Sequence, residues 1–517
     1  MSRLQKMLLR VEKAGNALPH PAILFLLLSV LVILLSWGIS HFGVVAVHPV
    51  KKDIIAAQNL FSLFGLHFLL TDLVKNFAGF APLGSVLVAM LGFAVAEKSG
   101  LLATLLRWLV LRAGKKLLVP AVLIAGIISH TAGDIGYVLL IPLAAMTFHA
   151  AGMHPLAGLA ICFAGVSGGF AANFLLGAID PLLAGISTEG ARILDPNYAV
   201  TPVANYYFFA SSSLLIVGIG TLIAHKVTIP FLGEYHGDAE RPRSNELDAH
   251  EIRGLKAAGL TALLILAVIL WGLIPDDGFL RDPLVPGVIA SPAMKGIVAL
   301  IFVFGALSGI AYGWAARTLR GSQDIVNAMQ DAMATMAPYL VLVFFAAQFI
   351  ALFNASNVGL ILAVHGSDFL KSLNVGPVPL MIGFILFTCV LDLFVGSASA
   401  KWALMAPIFV PMFMLLGISP ALTQASYRVA DSVVNIISPL MPYFPLILAF
   451  AIKYDPKAKI GTVLALMLPY SMAFLVFWSL MLFVWMGLDL PLGPGADLHY
   501  ELPASQMVPQ VPTETGP

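Results

Sequence analysis

Charge is scarce in this chain. Only 11% of its 517 residues are Asp, Glu, Lys or Arg, against about a quarter in a soluble domain. The formal net charge is +1, so the basic surface that a nucleic-acid partner requires is excluded. Cysteine is almost absent. Cys162 and Cys389 both lie in apolar runs, outside any CxxC or Cys/His cluster. That excludes a disulfide framework and a thiolate metal centre, and both residues read as small buried apolar groups. Nucleotide and hydrolase signatures are missing too. The "GKK" at Gly114 has no upstream glycine to complete GxxxxGK[ST], there is no HExxH, and no GxSxG stands on a strand–helix turn. An ATP-driven pump and a membrane-embedded hydrolase are therefore disfavoured, and no cofactor is implied.

Apolar sequence is abundant: 59% of the residues are hydrophobic. Several runs exceed the ~18 residues that signal a membrane-spanning helix, and they are continuous rather than alternating, which excludes a barrel. The chain reads as an all-α polytopic membrane protein. Helices are expected at about 20–43, 82–97, 101–114, 206–231, 257–275, 294–315, 336–353 and 461–487. Between 61 and 80, aromatic residues mixed with Asp72 and Lys75 suggest an interfacial helix. The first run, from Pro21 to Trp37, follows Arg3, Lys6, Arg10 and Lys13 without a small-residue cleavage site. It reads as an uncleaved span with a cytoplasmic N-terminus. No Lys or Arg follows Lys459, which places the C-terminal tail in the periplasm and demands an odd number of crossings.

The charged segment 233–256 divides the chain into halves, 1–232 and 257–487. A polar stretch at 316–331 reads as an amphipathic connector, and the tail 488–517, rich in Pro and Gly, as loosely ordered. Two apolar regions, 117–190 and 376–452, are badly broken by Gly, Pro, Ser and Asn. They superpose with an offset of 265 residues: Pro142 meets Pro407, Gly152 meets Gly417, Pro155 meets Pro420 and Ser167 meets Ser432. Punctuation of this kind fixes where helices start and stop. Each unit reads as a hairpin (117–150 and 376–416) with a polar tip, at Ser129–Gly136 and Gly396–Lys401. A broken helix follows (155–190 and 420–452), interrupted at Gly165–Phe174 and Ala430–Pro439.

The hairpin arms are too short to cross a ~30 Å hydrocarbon core, so the tips end inside it. Unwound backbone there survives only where it lines a cavity or meets a ligand. Two such tips and two helix breaks point to a transporter site, and half-helix N-termini suit an anionic substrate. Candidate lining groups are Ser129, Thr131, Asn173, Ser397, Ser399 and Asn435. Arg428 and Asp431 stand at i, i+3 and can pair; Arg428 is the expected anchor for a carboxylate or sulfonyl group, with Asp431 as its partner or a proton carrier. Asp180, with no cation near it in sequence, suits a proton relay. Asp392 and Lys401 flank the second tip and are read as a structural pair across it. Asp134 is either a helix cap or a site residue. His130 is read as a polar tip residue bonded to backbone, and Trp402 and Tyr137 as tip rings that stack on a substrate or pack.

The stretches "GNALPHPAILF" (Gly15–Phe25), "KNFAGFAPLG" (Lys75–Gly84), "SPAMKGIVALI" (Ser291–Ile301), "APIFVPMFMLLG" (Ala406–Gly417), "YRVADS" (Tyr427–Ser432) and "LGPGADL" (Leu492–Leu498) resemble the p-aminobenzoyl-glutamate transporter (AbgT) family. The likeness covers nearly the whole chain. It implies a homodimer in the bacterial inner membrane, with nine spans and two opposed re-entrant hairpins per subunit. It also implies transport of p-aminobenzoyl-glutamate or export of sulfonamides, coupled to the proton motive force. The family's important positions match Asp180, Trp402, Pro420, Arg428 and Asp431; Asp392 and Lys401 are less typical of it. The reading that follows is a secondary transporter with a small-molecule substrate and H+ as coupling ion. Its alternatives are a sodium-coupled dicarboxylate symporter, with Na+ near the hairpin tips, and a passive channel.

Overall fold

A lipid-embedded backbone must satisfy its own N–H and C=O groups, so continuous apolar sequence folds as helix. The computed structural model describes residues 19–47, 53–132, 136–237, 247–285, 287–438 and 440–502. The all-α class holds: the only strands among the described residues are Val45–Val47 and Ile54–Ala56, paired antiparallel. Seven helices among those residues are long and apolar enough to cross a membrane. They are Pro21–His41, Leu63–Lys98, Tyr206–Leu232, Ala249–Leu273, Ile297–Ala316, Ala337–Ala355 and Ile460–Gly487. The second of these bends at Gly79–Phe80, between Leu63–Ala78 and Ala81–Lys98. Small residues let the spans approach closely, as packing in lipid requires. A Cβ added to Gly92 would meet the Phe302 carbonyl oxygen at 2.6 Å, and one added to Gly309 would meet Ala96 N at 2.6 Å.

The two broken regions fold as the same succession of elements. The first hairpin has arms Leu118–Ile128 and Ile141–Ala150, joined through a tight turn at Ser129–Ala132 and a widened turn at Gly136–Leu140. Asp134 lies outside the described residues. The second hairpin has arms Pro377–Asp392 and Ala398–Met414. Gly152 and Gly417, matched by the repeat, both adopt φ of +80°, a left-handed conformation that glycine tolerates. His154 and Ser419 then cap helices that start at Pro155 and Pro420. After their breaks, the helices resume at Ile179 and Phe444, again 265 residues apart.

Several sequence-level boundaries move. In the first broken helix the turns widen over Ala164–Gly168 and the break is 169–178 rather than 165–174. The second tip is 393–397 rather than Gly396–Lys401, because Ser397 accepts the Ala400 N–H (3.4 Å) and starts the returning helix early. The second helix runs intact to Asn435, so its break is 436–443 rather than 430–439. Segment 233–256 is only partly linker: Asp248 and Glu251 form a capping box, and helix begins at Ala249. The tail is docked over 488–502, not loose. Leu492 and Leu498 are buried, and the Leu498 carbonyl accepts the Ser419 N–H at 2.9 Å. This satisfies one of the free donors where the second broken helix begins. A further helix, Val358–Ser372, had no counterpart in the sequence reading.

The first hairpin packs on the first broken helix backbone to backbone. A Cβ on Gly126 would stand 2.8 Å from the Gly165 carbonyl carbon. Gly126→Val should therefore destabilise the protein by about 1–3 kcal/mol, read as a lower melting temperature in detergent. An unchanged melting temperature would refute this contact.

Candidate functional site

The charged side chains gather where the second broken helix crosses the first. Asp180 lies in the first turn of Ile179–Ala191, where the helix dipole favours an acidic group. Its Oδ2 accepts the Gly177 N–H at 2.8 Å, and its Oδ1 accepts from Arg428 Nη1 at 2.8 Å. Arg428 and Asp180 are 4% and 7% exposed, so the pair is largely out of water. The guanidinium sits 4.3 Å from the centre of the Phe209 ring, and its Nε makes no hydrogen bond among the described residues. The expected Arg428–Asp431 pair does not form. Each residue is engaged by a different element: Arg428 reaches the first broken helix, whereas Asp431 meets Lys401 at 2.7 Å. Asp180 has a cationic neighbour after all, 248 residues away.

Around the second tip, Lys401 contacts Asp392 as well as Asp431, so the pair expected across the tip is present with a third member. Asn435 Nδ2 donates to Asp431 Oδ2 (3.3 Å), and the Tyr427 hydroxyl lies 3.4 Å from Asp431 Oδ1. Trp402 is wholly buried. Its ring stacks on Tyr427 (centroids 4.5 Å apart) and its Nε1 donates to Ser187 Oγ at 2.9 Å. Ser397 and Ser399 face each other, Oγ to Oγ, at 3.4 Å. Ser432 Oγ accepts the Ala171 N–H (3.0 Å), tying one broken helix to the other.

Other candidates are spent on local backbone. Ser129 Oγ donates to the Gly126 carbonyl (2.6 Å), Thr131 Oγ1 to the Ile128 carbonyl (2.7 Å), and Asn173 Oδ1 accepts the Leu175 N–H (3.1 Å). The His130 ring meets Phe170 edge-on at 4.9 Å, and Tyr137 stacks on Tyr443 at 4.4 Å. Pro420 opens the helix that carries Arg428, about 12 Å away along its axis at 1.5 Å per residue.

Two cavities flank the Asn173–Gly177 stretch. A small one of about 10 Å³ is lined by Asn173, Asp180, Asn205, Tyr206 and Phe209; it holds at most one water. A larger, mostly apolar one of about 410 Å³ is lined by Thr131, Phe174, Leu176, Tyr206, Ile301 and Ser308 among others. That is the size of a small-molecule site.

Residues 6–500 match the "AbgT putative transporter family". The chain belongs to the AbgT family. It is 42% identical over 485 residues to the p-aminobenzoyl-glutamate transport protein of Escherichia coli (strain K12), covering 94% of this chain and 95% of that one. The Alcanivorax borkumensis YdaH transporter, described as having an unusual topology, superposes with a TM-score of 0.88 at 47% identity, over 92% of this chain and 100% of that one. Neisseria gonorrhoeae MtrF, described as illuminating a class of antimetabolite efflux pumps, gives a TM-score of 0.90 at 47% identity, over 95% and 100% of the two chains.

In this AbgT-family chain the sequence reading missed Phe209, Ser187, Tyr427 and Ser432 as site residues, each of which touches a candidate residue, Ser432 by donating to the Arg428 carbonyl. Ser187 stands seven residues after Asp180, on the same face of one helix, which was a signal available in the sequence. Phe209, on a separate span, offered none.

Proposed function

We propose that this chain is a secondary active transporter of p-aminobenzoyl-glutamate-like anions and related sulfonamides. It moves them by alternating access around both hairpin tips and both helix breaks. One observation carries the reading: Arg428, a buried guanidinium on one broken helix, is held at 2.8 Å by a carboxylate where the other resumes after its break. A guanidinium fork is built for carboxylates. A solute carboxylate competes with Asp180 for Arg428, and that exchange loosens the contact between the two broken helices. The 410 Å³ cavity on the other side of the Asn173–Gly177 stretch offers Phe174 and Tyr206 to an aminobenzoyl ring. Two copies form a homodimer in the bacterial inner membrane, with a cytoplasmic N-terminus and a periplasmic C-terminus, and a proton is the coupling ion. The names of the relatives support transport of such solutes, and the absence of a nucleotide motif supports a secondary transporter over an ATP-driven pump.

The test is flux of radiolabelled p-aminobenzoyl-glutamate and of a sulfonamide in proteoliposomes, with imposed pH and sodium gradients varied separately. Accumulation against a solute gradient is the expected result. Conductance without accumulation would make the protein a channel and defeat the proposal.

A further inference from the structure

Among the described residues, five ionic side chains are buried below one-tenth exposure: Asp180, Asp392, Lys401, Arg428 and Asp431. They are two cations and three carboxylates. Arg428 and Asp180 cancel each other. The other three form a triad in which Lys401 touches Asp392 and lies 2.7 Å from Asp431. One negative charge is left over in a low-dielectric interior, where an uncompensated ion is strongly disfavoured.

We propose that a proton shared by Asp392 and Asp431 balances this charge and is the coupling ion. In the same proposal, Lys401 is a tethered monovalent cation that keeps sodium out. The inference rests on the transport reading above.

The two carboxylates are held differently. Asp431 is oriented by Lys401, Asn435 and the Tyr427 hydroxyl. Asp392 is wholly buried and has no partner besides Lys401 among the described residues. No other charge among those residues intervenes. The first arm of the second hairpin adds only Cys389 to Asp392, and the second broken helix adds Tyr427 and Arg428, the latter engaged by Asp180. On Ile179–Ala191, packed against the returning arm, Glu189 accepts the Ala81 N–H. On Val358–Ser372, Asp368 pairs with Lys371 and His365 meets the Val45 carbonyl.

A lysine ammonium carries the charge of a sodium ion but cannot leave. With it in place, the site's variable occupant is a proton. Without it, two facing carboxylates need two positive charges, and the space left by the side chain admits a cation.

Three proteins decide the matter in proteoliposomes, with p-aminobenzoyl-glutamate as the solute. For the wild type, a pH gradient drives accumulation, and replacing sodium by choline changes the rate less than twofold. A wild type driven by sodium overturns the inference and the proton coupling proposed above, but leaves active transport of the solute standing. A wild type that accumulates nothing under either gradient refutes the transport reading itself. In Lys401→Ala, pH-driven accumulation falls at least tenfold and a sodium gradient becomes able to drive it. Persistence of the proton drive at more than half the wild-type rate overturns the inference. Should Lys401→Ala prove inactive, Asp392→Asn decides, because it removes the excess charge. Its pH-driven accumulation falls at least tenfold, while solute counterflow falls less than threefold. Loss of both in parallel would make the triad a structural clamp and overturn the inference, as would retention of both.

Discussion

Arg428→Ala should abolish transport and destabilise the protein together. Removing the guanidinium leaves Asp180 as an unpaired carboxylate, 7% exposed, and breaking a buried pair on one side costs about 3–5 kcal/mol. Flux should fall at least ~100-fold, equivalent to about 3 kcal/mol from a desolvated charge contact. The two effects separate in a double variant. Arg428→Met combined with Asp180→Asn has no orphaned charge and should recover most of the melting temperature in detergent. Its transport should stay absent, because nothing remains to hold the solute carboxylate. A double variant that transports would show that the pair only clamps the two broken helices. Asp180→Asn alone keeps an acceptor for Arg428 but removes the competing charge. It should bind p-aminobenzoyl-glutamate more tightly and turn over more slowly, read as a lower KM with a lower maximal rate.

The second large effect is expected at Trp402. Its ring is wholly buried, stacked on Tyr427 and tied to Ser187. Trp402→Ala should cost about 3–5 kcal/mol of stability. It should also impair transport, since Tyr427 would lose the stack that holds its hydroxyl near Asp431 and the Ala398 carbonyl. Trp402→Phe keeps an aromatic face and loses only the N–H, so transport should stay within about threefold of wild type, with about 1 kcal/mol lost from one hydrogen bond. Had the ring stacked directly on the solute, the Phe variant would instead raise KM tenfold or more. Transport kinetics of the two variants separate these roles.

The hairpins were legible because their breaks are written in residues that stop helices. Gly152 and Gly417, with Pro155 and Pro420 after them, force the same turn twice in the structure. The Asp392–Lys401 contact was legible because only a short turn separates the two arms that carry it. The Arg428–Asp180 pair was not, since a contact across 248 residues depends on how two broken helices cross, which spacing on one helix does not encode. Break positions shifted for a local reason. Ser399, Ala400 and Lys401 are compatible with helix, and a cap at Ser397 was enough to recruit them. The tail misled by composition. Its prolines and glycines suggested disorder, but Leu492, Leu498 and Tyr500 bury against the spans.

The central claim is that the tips end inside the membrane, at a place the solute reaches. Cysteine accessibility tests it most directly. In a background with Cys162 and Cys389 replaced by alanine, single Thr131→Cys, Ser397→Cys and Asp489→Cys proteins are labelled in proteoliposomes with a membrane-impermeant thiol reagent. Asp489, whose side chain is 70% exposed, should label quickly whether or not solute is present. Thr131→Cys and Ser397→Cys should label at least ~10-fold more slowly, and p-aminobenzoyl-glutamate should protect them further. Labelling of both tips at the Asp489 rate, unaffected by solute, would place them at the membrane surface and contradict the account.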